Sequence, residues 1–125
     1  MARVRWLAWA LCMPLAMALA ASPASASGAG REIEALIAAL ATSGCEFQRN
    51  GRWHDAARAQ AHLQRKYDWL RKRGLADTAE LFIERAATRS STSGQAYRVR
   101  CPGRPDTTSG AWFEARLRQL RAAES

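Results

Sequence analysis

The chain contains few residues of the kinds that catalysis and metal binding use. Its 125 residues include two histidines and three cysteines. The cysteines form no C-x-x-C pair, which argues against a redox motif, and no G-x-S-x-G motif marks a serine nucleophile. His54 and His62 lie two helical turns apart, beyond the close spacing that chelation on one helix prefers, while a zinc site needs three or four ligands. We therefore expect no cofactor, no metal and no catalytic residue.

Only one segment is strongly apolar, and it lies at the amino terminus. Arg3 and Arg5 precede an apolar run over residues 6–21, and the small residues Ala24-Ser25-Ala26 follow it. This run is shorter than the roughly 20 residues that a membrane-spanning helix needs. A charged start, an apolar centre and an A-x-A site are typical of a secretory signal peptide. We predict that residues 1–26 are cleaved and that residues 27–125 form one small domain in the periplasm or outside the cell, with no transmembrane segment.

Cleavage would change the cysteine count. Cys12 would leave with the leader, and Cys45 and Cys101 would remain. A lone pair in an exported domain predicts a disulfide, with two separate buried thiols as the alternative. Closing so long a loop stabilises a fold by about 4 kcal/mol. Because domains of this size have a net stability of roughly 5–15 kcal/mol, this bridge could decide whether the fold survives.

The charge of the chain is basic. The formal net charge is +8, and removing Arg3 and Arg5 leaves +6. In the cell envelope, a basic domain attracts anionic head groups and acidic polymers, although the charge can also serve solubility alone. Nucleic acid is not an expected partner of an exported protein.

Hydrophobic periodicity predicts four short helices after a flexible stub at residues 27–30. The first has Ile33, Leu36, Ile37 and Leu40 on one face. The second begins at Asp55 and ends at Gly74. The third begins with what resembles a capping box, with Asp77 as its N-cap. The predicted helices cover residues 32–42, 55–73, 77–88 and 110–122.

Two segments of alternating polarity predict strands. Asn50-Gly51 separates residues 45–49 from residues 52–53, and this dipeptide is a strong hairpin signal because both residues tolerate positive φ. Residues 96–101 alternate again, so Val99 is expected to pack on Phe47 beside the disulfide. The predicted fold is therefore α+β and mainly α: about four short helices, a small antiparallel β-hairpin or three-stranded sheet, and one disulfide.

One polar cluster is the best candidate for a binding site. His62 and Lys66 lie one turn apart on the second predicted helix, and backbone amides of the loop Ser90–Gly94 can form an anion-binding nest. Alternatively, the serines only donate hydrogen bonds to the carbonyl groups at the C-terminal end of the third helix, and Asn50-Gly51 only forms a turn. The candidate binding residues are Arg49, Asn50, His62, Lys66, Ser91, Ser93 and Gly94.

Two functions fit these residues. The first is a non-enzymatic domain that binds an envelope protein or an anionic envelope component. The alternative is a small envelope hydrolase that uses His62 with a serine of the Ser90–Ser93 loop.

The same residues resemble a known family. The segments that carry the resemblance are Ser43–Gly51, His62-Leu63, Lys66-Tyr67, Phe82–Glu84, Ser90–Gly94, and Tyr97, Val99 and Cys101. As a set they look like the YfeK-like family of small exported proteobacterial proteins, catalogued as the domain of unknown function DUF5329. The resemblance covers roughly residues 32–121. It implies an envelope location, one small domain and paired cysteines, and it implies no activity.

Overall fold

The computed structural model describes Pro14 and residues 24–124. The predicted signal peptide therefore lies almost wholly outside the described residues, and none of the described helices has the length and apolarity to cross a bilayer. The elements are α1 (Ala24–Ala41), β1 (Glu46–Arg49), β2 (Arg52–His54), α2 (Ala56–Arg71), α3 (Ala79–Phe82), a π-helical segment (Ile83–Ala87), β3 (Arg98–Arg100), β4 (Thr107–Thr108) and α4 (Ser109–Glu124).

The four strands form one antiparallel sheet in the order β2-β1-β3-β4. The α+β prediction is confirmed, but the sheet has four strands, not three. β4 has only two residues, too few to show any alternation of polarity. The predicted hairpin between β1 and β2 is confirmed: Asn50 has φ 51° and Gly51 has φ 78°, the positive values that a type I′ turn requires at both central residues.

The register of β1 and β3 brings the two cysteines together. Phe47 pairs with Val99 and Glu46 with Arg100, and the predicted disulfide between Cys45 and Cys101 follows at the end of this ladder, with 4.3 Å between the two Cα atoms. Phe47 and Val99 are both buried. The prediction that this apolar pair lies beside the bridge is confirmed.

The helices cover one face of the sheet and supply most of the core. The predicted stripe of α1 is buried, with Ile33, Leu36 and Leu40 fully inaccessible. Phe82 makes edge-to-face contacts with Tyr67 and Phe113, at centroid distances of 5.7 and 6.5 Å. Such contacts add about 0.5–1.5 kcal/mol per pair to the energy of burial.

The first helix begins earlier than the pattern indicates. α1 starts at Ala24, so the prediction of a flexible stub at residues 27–30 is wrong. Ala29 is 8% exposed, and a Cβ at Gly30 would lie 3.6 Å from the Tyr67 hydroxyl. Small residues give no hydrophobic stripe to recognise, yet they permit this close approach of α1 to α2.

The start of α3 also differs from its prediction. Thr78, and not Asp77, is the N-cap: its side chain accepts a hydrogen bond from the Leu81 amide. After Phe82 the chain widens into the π-helical segment, and the Thr88 hydroxyl donates to the Ile83 carbonyl at 2.7 Å. The predicted start of α2 is confirmed, since Asp55 accepts from the Arg58 amide at 2.8 Å.

Candidate functional site

Four side chains from the sheet and α2 form one hydrogen-bonded cluster, which we call the basic network: Arg49, His62, Lys66 and Tyr97. Arg49 Nη1 lies 3.1 Å from His62 Nδ1. His62 Nε2 lies 3.3 Å from the Tyr97 hydroxyl, and Lys66 Nζ lies 3.2 Å from the same oxygen. Three of the seven predicted binding residues are thus brought together, around a tyrosine that was not among them.

The secondary structure explains this meeting. Arg49 ends β1 and Tyr97 directly precedes β3. Continuing the register of Gln48 with Arg98 places Arg49 opposite Tyr97. His62 and Lys66 are four residues apart on α2, so both project from one side of the helix. The network therefore spans the junction of α2 with the β1–β3 ladder.

The donors of the network determine where its protons lie. A guanidinium and an ammonium group can only donate hydrogen bonds. Arg49 Nη1 lies 3.1 Å from His62 Nδ1 and 3.5 Å from Nε2. We assign the hydrogen bond to the shorter contact, which leaves the imidazole proton on Nε2, where it donates to the Tyr97 hydroxyl oxygen. Lys66 donates to that oxygen as well. Tyr97 thus accepts twice, and its own proton has no acceptor among the described residues.

Burial and positive charge keep His62 neutral. Burial, followed by the charges of Arg49 and Lys66, lowers the pKa of His62 from 6.5 to about 4. Burial also lowers the pKa of Lys66, with Arg49 as the second cause. Burial raises the pKa of Tyr97, and Arg49 opposes that rise. At neutral pH the imidazole of His62 is therefore neutral.

A cleft of about 360 Å³ opens beside the network. Its floor is apolar and its rim is basic. The floor includes Phe47, Ala59 and Leu63, which are buried. The basic side chains around it are Arg49, His54, Arg58, His62 and Arg65, and no carboxylate of the described residues lines it. An anion in the cleft would therefore meet no negatively charged side chain of the described residues, so the cleft suits an anion.

Ser109 adds a further polar group to the cleft. Its amide donates to the Tyr97 carbonyl at 2.8 Å, which fixes it beside the network. The residue is 2% exposed and lines the cleft. Its hydroxyl makes no hydrogen bond to any of residues 24–124. Among residues 24–124, Arg116 Nε is the one fully buried side-chain nitrogen or oxygen without a partner. The Ser109 hydroxyl therefore remains accessible in the cleft, where it can donate to a ligand atom.

The serine loop does not provide the predicted anion nest. The amides of Thr92 and Ser93 donate to the Ser90 hydroxyl, and the amide of Gly94 donates to the Ser90 carbonyl. The Ser93 hydroxyl donates to the Asn50 side chain. The amides of Thr92, Ser93 and Gly94 therefore have acceptors within the loop, and Ser93 holds the β1–β2 turn. Ser91 and Gly94 are exposed and make no side-chain contact with the network within the described part of the chain.

The sequence-based prediction omits several polar residues of the site, among them His54, Arg58, Arg65, Tyr97 and Ser109. Arg58 and Arg65 had a usable signal, because they lie four residues before and three residues after His62 and so share its helical face. Tyr97 and Ser109 had none. Their approach to α2 depends on pairings between distant strands.

The larger hollow of the molecule has a different character. It measures about 1040 Å³ and lies between the start of α1 and α4. Arg121 binds Glu32 there at 2.7 Å and also contacts Glu80. The hydrogen bond from Arg121 to Glu80 is the main cause that lowers the pKa of Glu80. Since acids and bases pair with each other in this hollow, the small cleft is the stronger candidate for a charged ligand.

The hydrogen bonds of His62 are with Arg49 and Tyr97 of the basic network. No hydrogen bond joins it to the Ser90–Ser93 loop or to a carboxylate among the described residues. Residues 24–124 contain no group of three or more His, Cys, Asp or Glu side chains that could hold a metal ion.

Comparison with known proteins gives one match. Over residues 20–121 the chain matches a family of unknown function (DUF5329). No curated protein and no solved structure matches it.

Proposed function

The chain belongs to this family of unknown function, and we propose that it is an exported, non-enzymatic domain whose cleft binds an anionic component of the cell envelope. One observation carries the proposal: every charged group around the cleft is basic, and none is neutralised there by a carboxylate of the described residues. Binding an anion would supply the missing counter-charge.

The donors of the site support the same proposal. Arg49 keeps donor groups beyond the one that contacts His62, since a guanidinium has five N–H groups. The Tyr97 and Ser109 hydroxyls have protons without acceptors in the described chain. A carboxylate or phosphate accepts several hydrogen bonds at once. An anion in the cleft therefore matches both the charge and the hydrogen-bonding capacity of its walls.

Export is part of the proposal and rests on the leader sequence. Cleavage after Ala26 would leave α1 from Ser27 onwards, so Ala29 and Ile33 would keep their places in the core. The Cys45–Cys101 disulfide suits an oxidising compartment. Assignment to the YfeK-like group of exported proteobacterial proteins belongs to the same proposal. Expressing the full chain in a Gram-negative host, fractionating the cells and measuring the intact mass tests it; a full-length product in the cytoplasm would contradict it.

Binding is tested with simple anions. We expect inorganic phosphate, acetate and short alkyl phosphates to shift the NMR signals of Arg49 and His62 in the purified protein. Arg49→Gln should weaken the best of these probes at least about tenfold, because hydrogen bonds to charged groups contribute about 1.5–3 kcal/mol.

Arg118→Gln is the matched control, because it removes the same charge from an exposed position on α4 away from the cleft. If both variants lose the same affinity, the loss in Arg49→Gln is due to the lower net charge of the protein and not to a contact at Arg49. If no probe binds, the proposed function is wrong.

A further inference from the structure

The floor of the cleft determines which anions fit it. Phe47, Ala59 and Leu63 present apolar surface inside the basic rim. An inorganic anion has no apolar part. It would contact the arginines at the rim, where water solvates it well, and the apolar surface of the floor would stay exposed to water. A ligand with an apolar part would cover it, with a gain of roughly 25 cal/mol per Å² of apolar surface.

The size of the cleft limits that apolar part. Its volume of about 360 Å³ lies near the lower end of the roughly 300–1,000 Å³ typical of small-molecule sites. One alkyl chain of medium length fits this space, whereas a lipid with two long chains does not.

The polar groups place the head of such a ligand. Arg49 and the Tyr97 hydroxyl lie together at one side of the cleft. Lys66 and His62 both donate to the Tyr97 oxygen, which directs the Tyr97 proton to another acceptor. The hydroxyl of Ser109, anchored beside Tyr97 through its amide, is a second donor without a partner in the described chain.

We propose that the cleft binds a single-chain amphiphile, with an anionic carboxylate or phosphate head at Arg49 and Tyr97 and an alkyl chain on the Phe47–Leu63 floor. This inference rests on the proposed function, since it names the class of anion that the domain takes. The ligand enters as a monomer in this proposal, because the apolar residues Phe47, Ala59 and Leu63 are buried while the arginines beside them are exposed.

Calorimetry on protein purified after expression of the full chain tests the inference. The probes are inorganic phosphate, ethyl, butyl, hexyl and octyl phosphate, octanoate, octanol, and vesicles with an anionic lipid, all soluble probes being kept below their critical micelle concentrations. We expect the affinity to rise about three- to fourfold per added methylene from butyl to octyl phosphate, as full burial of each CH₂ implies. Octanol should bind at least tenfold more weakly than octyl phosphate.

Two variants locate the chain. Ala59→Leu adds bulk to the floor, so the increase in affinity with chain length should disappear. Ala57→Leu is the matched control on an exposed part of α2 outside the cleft, and it should keep the increase. The series on the unmutated protein decides the question even if Ala59→Leu fails to fold.

Each of the other possible outcomes contradicts one named part of the proposal. Equal affinities for inorganic and octyl phosphate would leave anion binding intact and overturn the amphiphile. Binding to vesicles alone would also overturn it. Octanol binding as tightly as octyl phosphate would overturn the anionic head, and a complete lack of binding would overturn the proposed function as well.

Discussion

The neutral imidazole of His62 makes the stability of the fold depend on pH. Burial and neighbouring positive charge lower the pKa of His62 from 6.5 to about 4 in the folded protein. Between these values the unfolded chain binds the proton and the folded protein does not. The free energy of unfolding therefore falls as the pH decreases from about 6.5 towards 4, and His62 adds no pH dependence above about 7.5.

The size of the effect follows from the two pKa values. At pH 5 the full shift would cost at most about 2 kcal/mol. His62 is only half-buried, so solvent screening reduces the cost, and we expect about 1 kcal/mol. For a domain of about 100 residues this lowers the melting temperature by roughly 4–8 °C.

Urea denaturation at pH 7.5 and pH 5.0 measures this loss in the free energy of unfolding. The comparison is between the protein carrying His54→Gln, which keeps one imidazole, and the same background with His62→Gln. Glutamine cannot be protonated in this range, so the second protein should lose about 1 kcal/mol less stability between the two pH values. An NMR titration of the His62 ring provides a direct check. A native midpoint near 6.5, or equal losses in both proteins, would refute the reasoning.

Three further predictions concern stability. Replacing both cysteines, Cys45→Ala with Cys101→Ala, should lower the free energy of unfolding by about 4 kcal/mol, because the bridge closes a loop across a separation of 56 residues. Urea midpoints without reductant measure this loss, and an unchanged midpoint would contradict it. Asp55→Ala should cost about 1 kcal/mol through loss of the α2 N-cap, whereas Asp55→Asn should restore most of it. Gly51→Ala should cost about 1–2 kcal/mol because its φ is 78°, and a melting temperature equal to that of the unmutated protein would exclude this strain.

The features that the sequence predicted correctly depend on few neighbouring residues. Asp55 precedes a helical stripe, and Gly74, with φ 65°, lies three residues after Arg71, the last residue of α2. Asn50-Gly51 defines its own turn. The disulfide follows from counting, because cleavage of the leader would leave two cysteines.

Other features depend on residues far apart in the chain. Tyr97 reaches His62 across 35 positions, and no local pattern indicates that contact. Asp77 and Thr78 are both good N-caps, so packing of the following helix decides between them. In the serine loop, the amides of Thr92 and Ser93 donate to the Ser90 hydroxyl, and composition does not reveal this use of the amides.

The disulfide and the basic network lie at opposite ends of one strand ladder, and this couples the stability of the fold to the site. Cys45 and Cys101 close one end, and Phe47 pairs with Val99 in the middle. Because side chains alternate, all of these lie on the same face as Arg49 and Tyr97 at the other end. A slip of one residue would turn Arg49 away from α2, and the covalent bridge forbids that slip. Reduction of the disulfide should therefore weaken ligand binding even in molecules that remain folded.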